Sequence, residues 1–360
     1  MIPVLYPATE TAFTTNGLGG LPDAISCVVT EQRNTQGGYY LEMEYPIDGL
    51  HFDLLAPERI IYAAPAMGKT PQPFRISRIT RPINGIVHIE APHVSAELQK
   101  IVTYGRMRAY TVWGLWSDFK GVATNIGQAC PFTISSNFNL TEAINFWFDE
   151  PITMASLLMG MEGSMLDKIG GEIEFDKWNV VYNTKRGVDS GLEIRYGVNM
   201  SDLEAETDAT ELVTACVPYW KGTVNEVDTV VIGDMCSASN ASAYAYVRCI
   251  PLDVSQQFDL EADTQPTTAQ VTAKGQAFVS SSALSELTMS INVKYTPLME
   301  NRNINLCDTV RVVHPDLGVS STAKVVETRY NTLIERYEEL TIGTMRQTIV
   351  DTIARLLGGS

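Results

Sequence analysis

GSMLDKIGGEIEFDKWNVVYNTKRGVDSGLEIRYGVN, residues 163–199, specifies a local fold almost completely while offering no catalytic chemistry. Ser164 is placed to cap a short helix whose apolar side is Met165, Leu166 and Ile169, and Gly170-Gly171 supplies the backbone freedom that ends it. In 172–175 the apolar Ile173 and Phe175 alternate with Glu172 and Glu174, the period of a half-buried strand. Asp176-Lys177 reads as a tight turn into a second strand, 178–183, which stops at Lys185-Arg186-Gly187. A third run sets Leu192, Ile194 and Tyr196 against Glu193 and Arg195, and Gly197 closes it. The segment therefore reads as helix, hairpin, loop, strand.

Working outward, most runs are short, rich in Val, Ile, Tyr and Thr, and separated by turn residues, as in a set of small β-domains. Residues 74–91 read as a hairpin about Asn84-Gly85, with Pro82 marking an edge-like or bulged strand. Residues 95–101 and 113–126 carry apolar residues at helical spacing. Strands return at 212–231 and 246–254, joined by the aperiodic 237–242. Pro266 starts a helix over 267–280 with Val271, Ala277 and Phe278 on one face, and strands follow at 287–295, 308–313, 322–330 and 336–342. Residues 344–357 read as a final helix with Ile349, Ile353 and Leu356 as its apolar side.

The spelling and order of these blocks resemble one family, the N-terminal hub region of the tail-tip (baseplate) proteins of long-tailed bacteriophages and prophages, known as tail-associated lysins or prophage tail endopeptidases. Besides residues 163–199, the resemblance rests on Phe13, Asn16-Gly17, Gly19, Asp23-Ala24, Cys27-Val28, Glu31, Glu42 and Tyr45-Pro46 near the start. Near the end it rests on Leu306-Cys307-Asp308-Thr309-Val310, Lys324-Val325-Val326, Tyr330 and Glu335-Arg336-Tyr337. Cys307 stands where the family has Gly, which bears on the local turn geometry. The resemblance implies an α+β, mainly β, multidomain fold with two small hub β-barrels per chain and inserted α/β domains. On that reading residues 1–94 form the first hub barrel, completed by about 200–255; 95–199 an α/β domain; 256–299 a helix-strand segment of a further α/β domain; 300–343 the second barrel; and 344–360 a C-terminal helix and tail. It also implies a homotrimer whose paired barrels make a pseudo-sixfold ring beneath a distal tail protein ring. Such a ring adapts sixfold to threefold symmetry and lines or closes the channel for the tape-measure protein and DNA. Receptor-binding or lysin components are further partners in the family, and the place of action is the virion tail tip, after assembly in the bacterial cytoplasm.

With 360 residues the chain is long enough for several domains, and 45% hydrophobic with 19% charged is an ordinary globular composition. No window approaches an apolar membrane span, and residues 1–10 have no signal-peptide character. Lys and Arg total 26 against 42 Asp and Glu, a formal charge of −16 that repels phosphate backbones and argues against sequence-specific nucleic-acid binding. The six cysteines, at 27, 130, 216, 236, 249 and 307, contain no Cys-x-x-Cys pair and read as buried free thiols.

The motifs with chemical potential each have a plain structural reading. Gly68-Lys69-Thr70 resembles the end of a phosphate loop, but Ala63 stands where Gly is required and Pro71 blocks the helix, so a turn between strands is expected. Glu172, Glu174 and Asp176 alternate along one strand and could hold a hard cation; a solvated or subunit-facing acidic edge is the ordinary reading. His51, His88, His93 and His314 have no metal-ligand spacing, and Cys130 and Cys249 lack a local histidine. Trp113, Trp116, Phe119, Phe146, Trp147 and Phe148 could stack on sugars or fill a core. The reading therefore assigns no catalytic, cofactor or metal residues. It sets a structural tail-tip hub against two alternatives, the hub region of a cell-wall peptidase or lysin whose catalytic domain lies outside this chain, and a host-surface carbohydrate binder.

Overall fold

A computed structural model describes residues 1–140, 143–161, 163–195, 202–208, 212–239, 241–258, 263–280, 288–295, 304–314 and 319–343. The helix expected over 344–357 lies outside them, as do Tyr196 and Gly197. Two compact units are present. One draws on residues 1–164, 171–204 and 291–344, the other on 165–170 and 205–290.

In the first unit, strand alternation translates directly into a core. Strand Tyr39–Pro46 buries Tyr39, Leu41, Met43 and Tyr45, and strand Ile86–Pro92 buries Val87, Ile89 and Ala91. Register sets Leu41 opposite Ala91, Met43 opposite Ile89 and Tyr45 opposite Val87, so both rows face one side. A four-stranded antiparallel sheet, ordered Gly19–Gly20, Val4–Tyr6, Ile60–Ala63, Gln72–Arg75, contributes Leu5, Leu21, Ile61, Ala63 and Phe74 to the same core. Two layers are thereby closed against water, each fully buried aliphatic side chain contributing about 1.5–3 kcal/mol.

Strands from both expected barrels share one large sheet, while others from residues 1–94 form the separate four-stranded sheet, and neither set closes on itself among the described residues. Strand Val319–Asn331 causes this. Its first half pairs with Thr309–His314, and after a bulge near Val326 its last five residues pair with Ser26–Gln32. Thirteen residues of strand extend for about 43 Å, far beyond the span of a small barrel wall. Strand Asp189–Arg195 joins the sheet in parallel with Thr309–His314, 120 residues onward in the case of Asp189 and Thr309.

The expected hairpin at 74–91 is longer-looped than its Asn-Gly pair suggests. Arg78–Thr80 pairs with Ile86–Pro92 through Thr80 and His88, and the intervening Pro82 has no N–H with which to extend the ladder. Asn84 Oδ1 accepts from Ile86 N at 3.2 Å, and Gly85 takes the left-handed conformation at φ +77°. The tight turn at Asp176-Lys177 is shifted by one residue: Asp176 pairs with Asn179, leaving Lys177 and Trp178 as the turn, with Lys177 at φ +55°.

Within the same unit, strands Val102–Ala109 and Ile144–Thr153 form an antiparallel ribbon backed by helix Val112–Asn125, whose Leu115, Trp116, Phe119 and Ala123 are buried. Strand Thr133–Ser136 extends the Glu172–Asp176/Asn179–Asn183 hairpin in parallel.

The second unit is a sheet of Ala215–Val224, Val227–Ile232, Cys236–Ser237 and Cys249–Asp253, covered by helix Thr268–Ser280. The strands of this sheet, all within residues 215–253, pair with one another. The helix buries Val271, Gly275, Phe278 and Val279, with Ala277 exposed. Gly275 lies inside because Pro218 passes so close that a Cβ there would sit 2.6 Å from its ring.

Candidate functional site

Of the carboxylates at 172, 174 and 176, Glu172 is buried, Glu174 half-buried and Asp176 exposed, and among the described residues they form no group arranged to hold a cation. The Glu172–Asp176 strand lies along the large sheet, and each acidic side chain meets a basic or amide partner. Glu172, 3% exposed, accepts from Arg33 Nε at 2.8 Å and Lys324 Nζ at 2.6 Å on one oxygen and from the Arg186 backbone N–H on the other. Glu174 takes Lys69 Nζ at 3.2 Å and Arg186 Nε at 3.5 Å. Asp176 accepts from Gln72 Nε2 at 2.9 Å. The Arg186 guanidinium closes the network on Glu31 at 2.8 Å. Burial alone would raise the Glu172 carboxyl, but Lys324, the Arg186 N–H and Arg33 together hold it below its ordinary range. Local sequence gives the alternation, but it cannot give Arg33 and Lys324, which arrive from 139 and 152 residues away.

His93 sits beside this strand at 0% exposure. Its ring stacks on Tyr39 with centroids 4.4 Å apart, and Phe74 meets it edge-on at 5.6 Å. Nδ1 accepts from Ser95 N at 3.2 Å, which leaves the proton on Nε2, 3.4 Å from Gln72 Oε1. Burial lowers its pKa to about 3, so the ring is neutral and structural. The same Gln72 oxygen accepts from Lys177 N at 2.7 Å, tying His93 to the hairpin turn.

A second cluster unites the two sequence blocks that carried the family resemblance. Asp308, 2% exposed, accepts from Val188 N at 2.8 Å and from Asn305 N at 2.7 Å. Gly187, at φ +79°, passes so close that a Cβ there would lie 2.3 Å from Cys307 O. Cys307 itself is left-handed at φ +71°, which accounts for the family's Gly at this position.

The remaining candidates resolve into structure. Gly68 makes a left-handed turn and Lys69 serves Glu174, with strand Gln72–Arg75 following where a phosphate loop needs a helix. His51 holds Gly20 O at 2.9 Å; His88 is exposed beside Glu44; His314 ends a strand. Cys130 is buried, its thiol raised by that burial, and Cys249 is exposed on an outer strand. Trp116, Phe119, Phe146 and Phe148 are core, whereas Trp113 and Trp147 are 67% and 55% exposed, the latter beneath Arg106 at 5.6 Å. Sequence reasoning missed the stack of Phe13 between Tyr62 at 4.6 Å and Trp178 at 5.6 Å, since its three rings come from distant segments. Among the described residues no group of three or more His, Cys, Asp or Glu is arranged to hold a metal, and no helix is long and apolar enough to cross a membrane.

Comparison with known proteins follows the same lines. Residues 188–353, which include the Gly187–Asp308 neighbourhood from Val188 onward, match the family described as prophage endopeptidase tail. No curated protein sequence matches. The fold is similar to prophage tail protein gp18 from Listeria monocytogenes EGD-e, with a TM-score of 0.63 at 15% identity over 99% of this chain and 98% of that one. It is also similar to the 43 kDa tail protein of prophage MuSo2 from Shewanella oneidensis, TM-score 0.59 at 11% identity over 100% of both chains. A tail protein from Neisseria meningitidis MC58 gives 0.56 at 9% identity over 98% and 99%. The resemblance to prophage tail proteins thus holds in sequence over residues 188–353 and in fold over essentially the whole chain.

Proposed function

We propose that this chain is a structural tail-tip hub of a siphophage-like phage or prophage, without catalysis of its own. Three copies would form a ring that adapts the sixfold tail to a threefold tip and lines or closes the DNA exit channel, seated against a distal tail ring and the tape-measure protein. The observation that carries the reading is the likeness to prophage tail proteins along essentially its full length, joined to a family match over residues 188–353. Chemistry at the polar clusters agrees: the Glu172 and Asp308 carboxylates are consumed by internal cations and backbone donors and so organise the fold. Cross-linking or imaging of isolated tail tips should count three copies; one or six would overturn the proposal.

The family description keeps a second reading in view, the hub region of a cell-wall peptidase. On that reading the catalytic domain lies outside this chain, so clearing of a cell-wall suspension by isolated tail tips would favour it, and unchanged turbidity would favour the structural role.

A further inference from the structure

The second unit sets two thiols against each other. Cys216, in strand Ala215–Val224, is the direct partner of Cys236 in the antiparallel strand Cys236–Ser237. Directly opposed residues point to the same face and hold their Cα atoms about 4.5–5.5 Å apart, within the roughly 4.4–6.8 Å that a disulfide spans. Both sulfurs approach one stretch of helix Thr268–Ser280: Cys216 Sγ lies 3.6 Å from Gly275 O, and Cys236 Sγ 3.4 Å from Thr272 O. Gly275 makes the space, because a Cβ there would come within 3.0 Å of Cys236 Sγ. Cys249, on the neighbouring strand, is paired with Ala215 and so belongs to the opposite face.

We propose that Cys216 and Cys236 are a latent cross-strand disulfide, reduced in a cytoplasm and closed once the protein enters an oxidising medium. The cross-link follows from geometry alone; its biological occasion, release of a finished tail from the lysed cell, rests on the tail reading above. A low-molecular-weight disulfide such as oxidised glutathione is the oxidant. One cysteine thiolate attacks a glutathione sulfur and expels a glutathione thiolate; the second cysteine thiolate then displaces the other glutathione from the mixed disulfide. One S–S bond breaks and one forms, the two cysteines lose their protons and two electrons, and two glutathione thiols leave. Cys216 and Cys236 are 0% and 3% exposed, so the attack passes through brief opening of the strand Cys236–Ser237, which only two register pairs hold to its neighbour. Once formed, the bond fixes that strand against Ala215-Cys216.

The test uses the full chain, incubated natively and also refolded from urea, in glutathione mixtures from fully reduced to fully oxidised. In the oxidised mixture the intact mass should fall by two hydrogens, the peptides containing Cys216 and Cys236 should be found joined, and the melting temperature should rise by several degrees. Cys249→Ser should retain the link, whereas Cys216→Ser and Cys236→Ser should each abolish it. Refolded wild-type chain that carries glutathione on Cys249 alone, or joins any other pair, overturns the proposal. This readout needs no particle, so a tail tip with the wrong copy number would refute the tail reading and leave the cross-link standing.

Discussion

Glu172 is a carboxylate whose burial is tolerable only because Arg33 and Lys324 share it. Replacing it by Gln leaves two cations facing a neutral amide, and Glu172→Gln should lose about 3 kcal/mol in urea unfolding at neutral pH. Acid acts through the same site. A carboxyl held below its unfolded value of about 4.3 stabilises the fold above that value, and the contribution disappears as pH falls through the folded one. His93 adds a second acid-sensitive contribution in the same direction. Its pKa is about 3 when buried and about 6.5 when unfolded, so the unfolded chain takes up the proton first and stability declines as pH drops below about 6.5. Urea midpoints measured from pH 7 to 5 should fall steadily for the wild type; His93→Gln, which cannot titrate, should be less stable at pH 7 yet flat across that range. Little of this was legible beforehand. The alternation of Glu172, Glu174 and Asp176 can be read locally, but whether a carboxylate meets water, a metal or a guanidinium depends on residues that sequence proximity does not bring near.

Elements were far more legible than their pairings. The strands at 172–176, 189–195, 309–314 and 336–343 and the helices at 112–125 and 268–280 follow from period and turn residues, all short-range signals. Parallel pairing of 189–195 with 309–314 and the double partnership of 319–331 leave no such trace, so the one sheet shared by strands expected in two barrels could not be read from the sequence. The crossing of Gly187 over Cys307 is the strictest local requirement of this arrangement. Gly187→Ala should cost roughly 2–4 kcal/mol, from a left-handed backbone and overlap with a carbonyl. Cys307→Gly should be nearly neutral and Cys307→Val clearly destabilising, since a branched side chain resists φ +71°; thermal melts would rank the three. On the outer strand Val227–Ile232, Val230 and Ile232 are 59% and 61% exposed on the sheet surface. Val230→Lys with Ile232→Lys should leave the melting temperature within a few degrees and raise the solubility limit, measured by light scattering on concentration.

At the scale of the whole molecule, the first and last thirds of the sequence are one object. Ser26–Gln32 completes its pairing only on 327–331, the Met1 amino group donates to Thr332 O at 2.8 Å, and Thr332 N reaches back to Cys27 O. Long-range pairing of this kind slows folding, because a large loop must close before its contacts form. During synthesis, the ribosome must have released residues through about 331 before the edge of Ser26–Gln32 meets its neighbour. Until then the nascent polypeptide carries this unpaired strand edge past every other copy on the same polysome. Productive expression should therefore depend on chaperone supply and slow translation, and a copy truncated ahead of residue 319 should be found in the pellet.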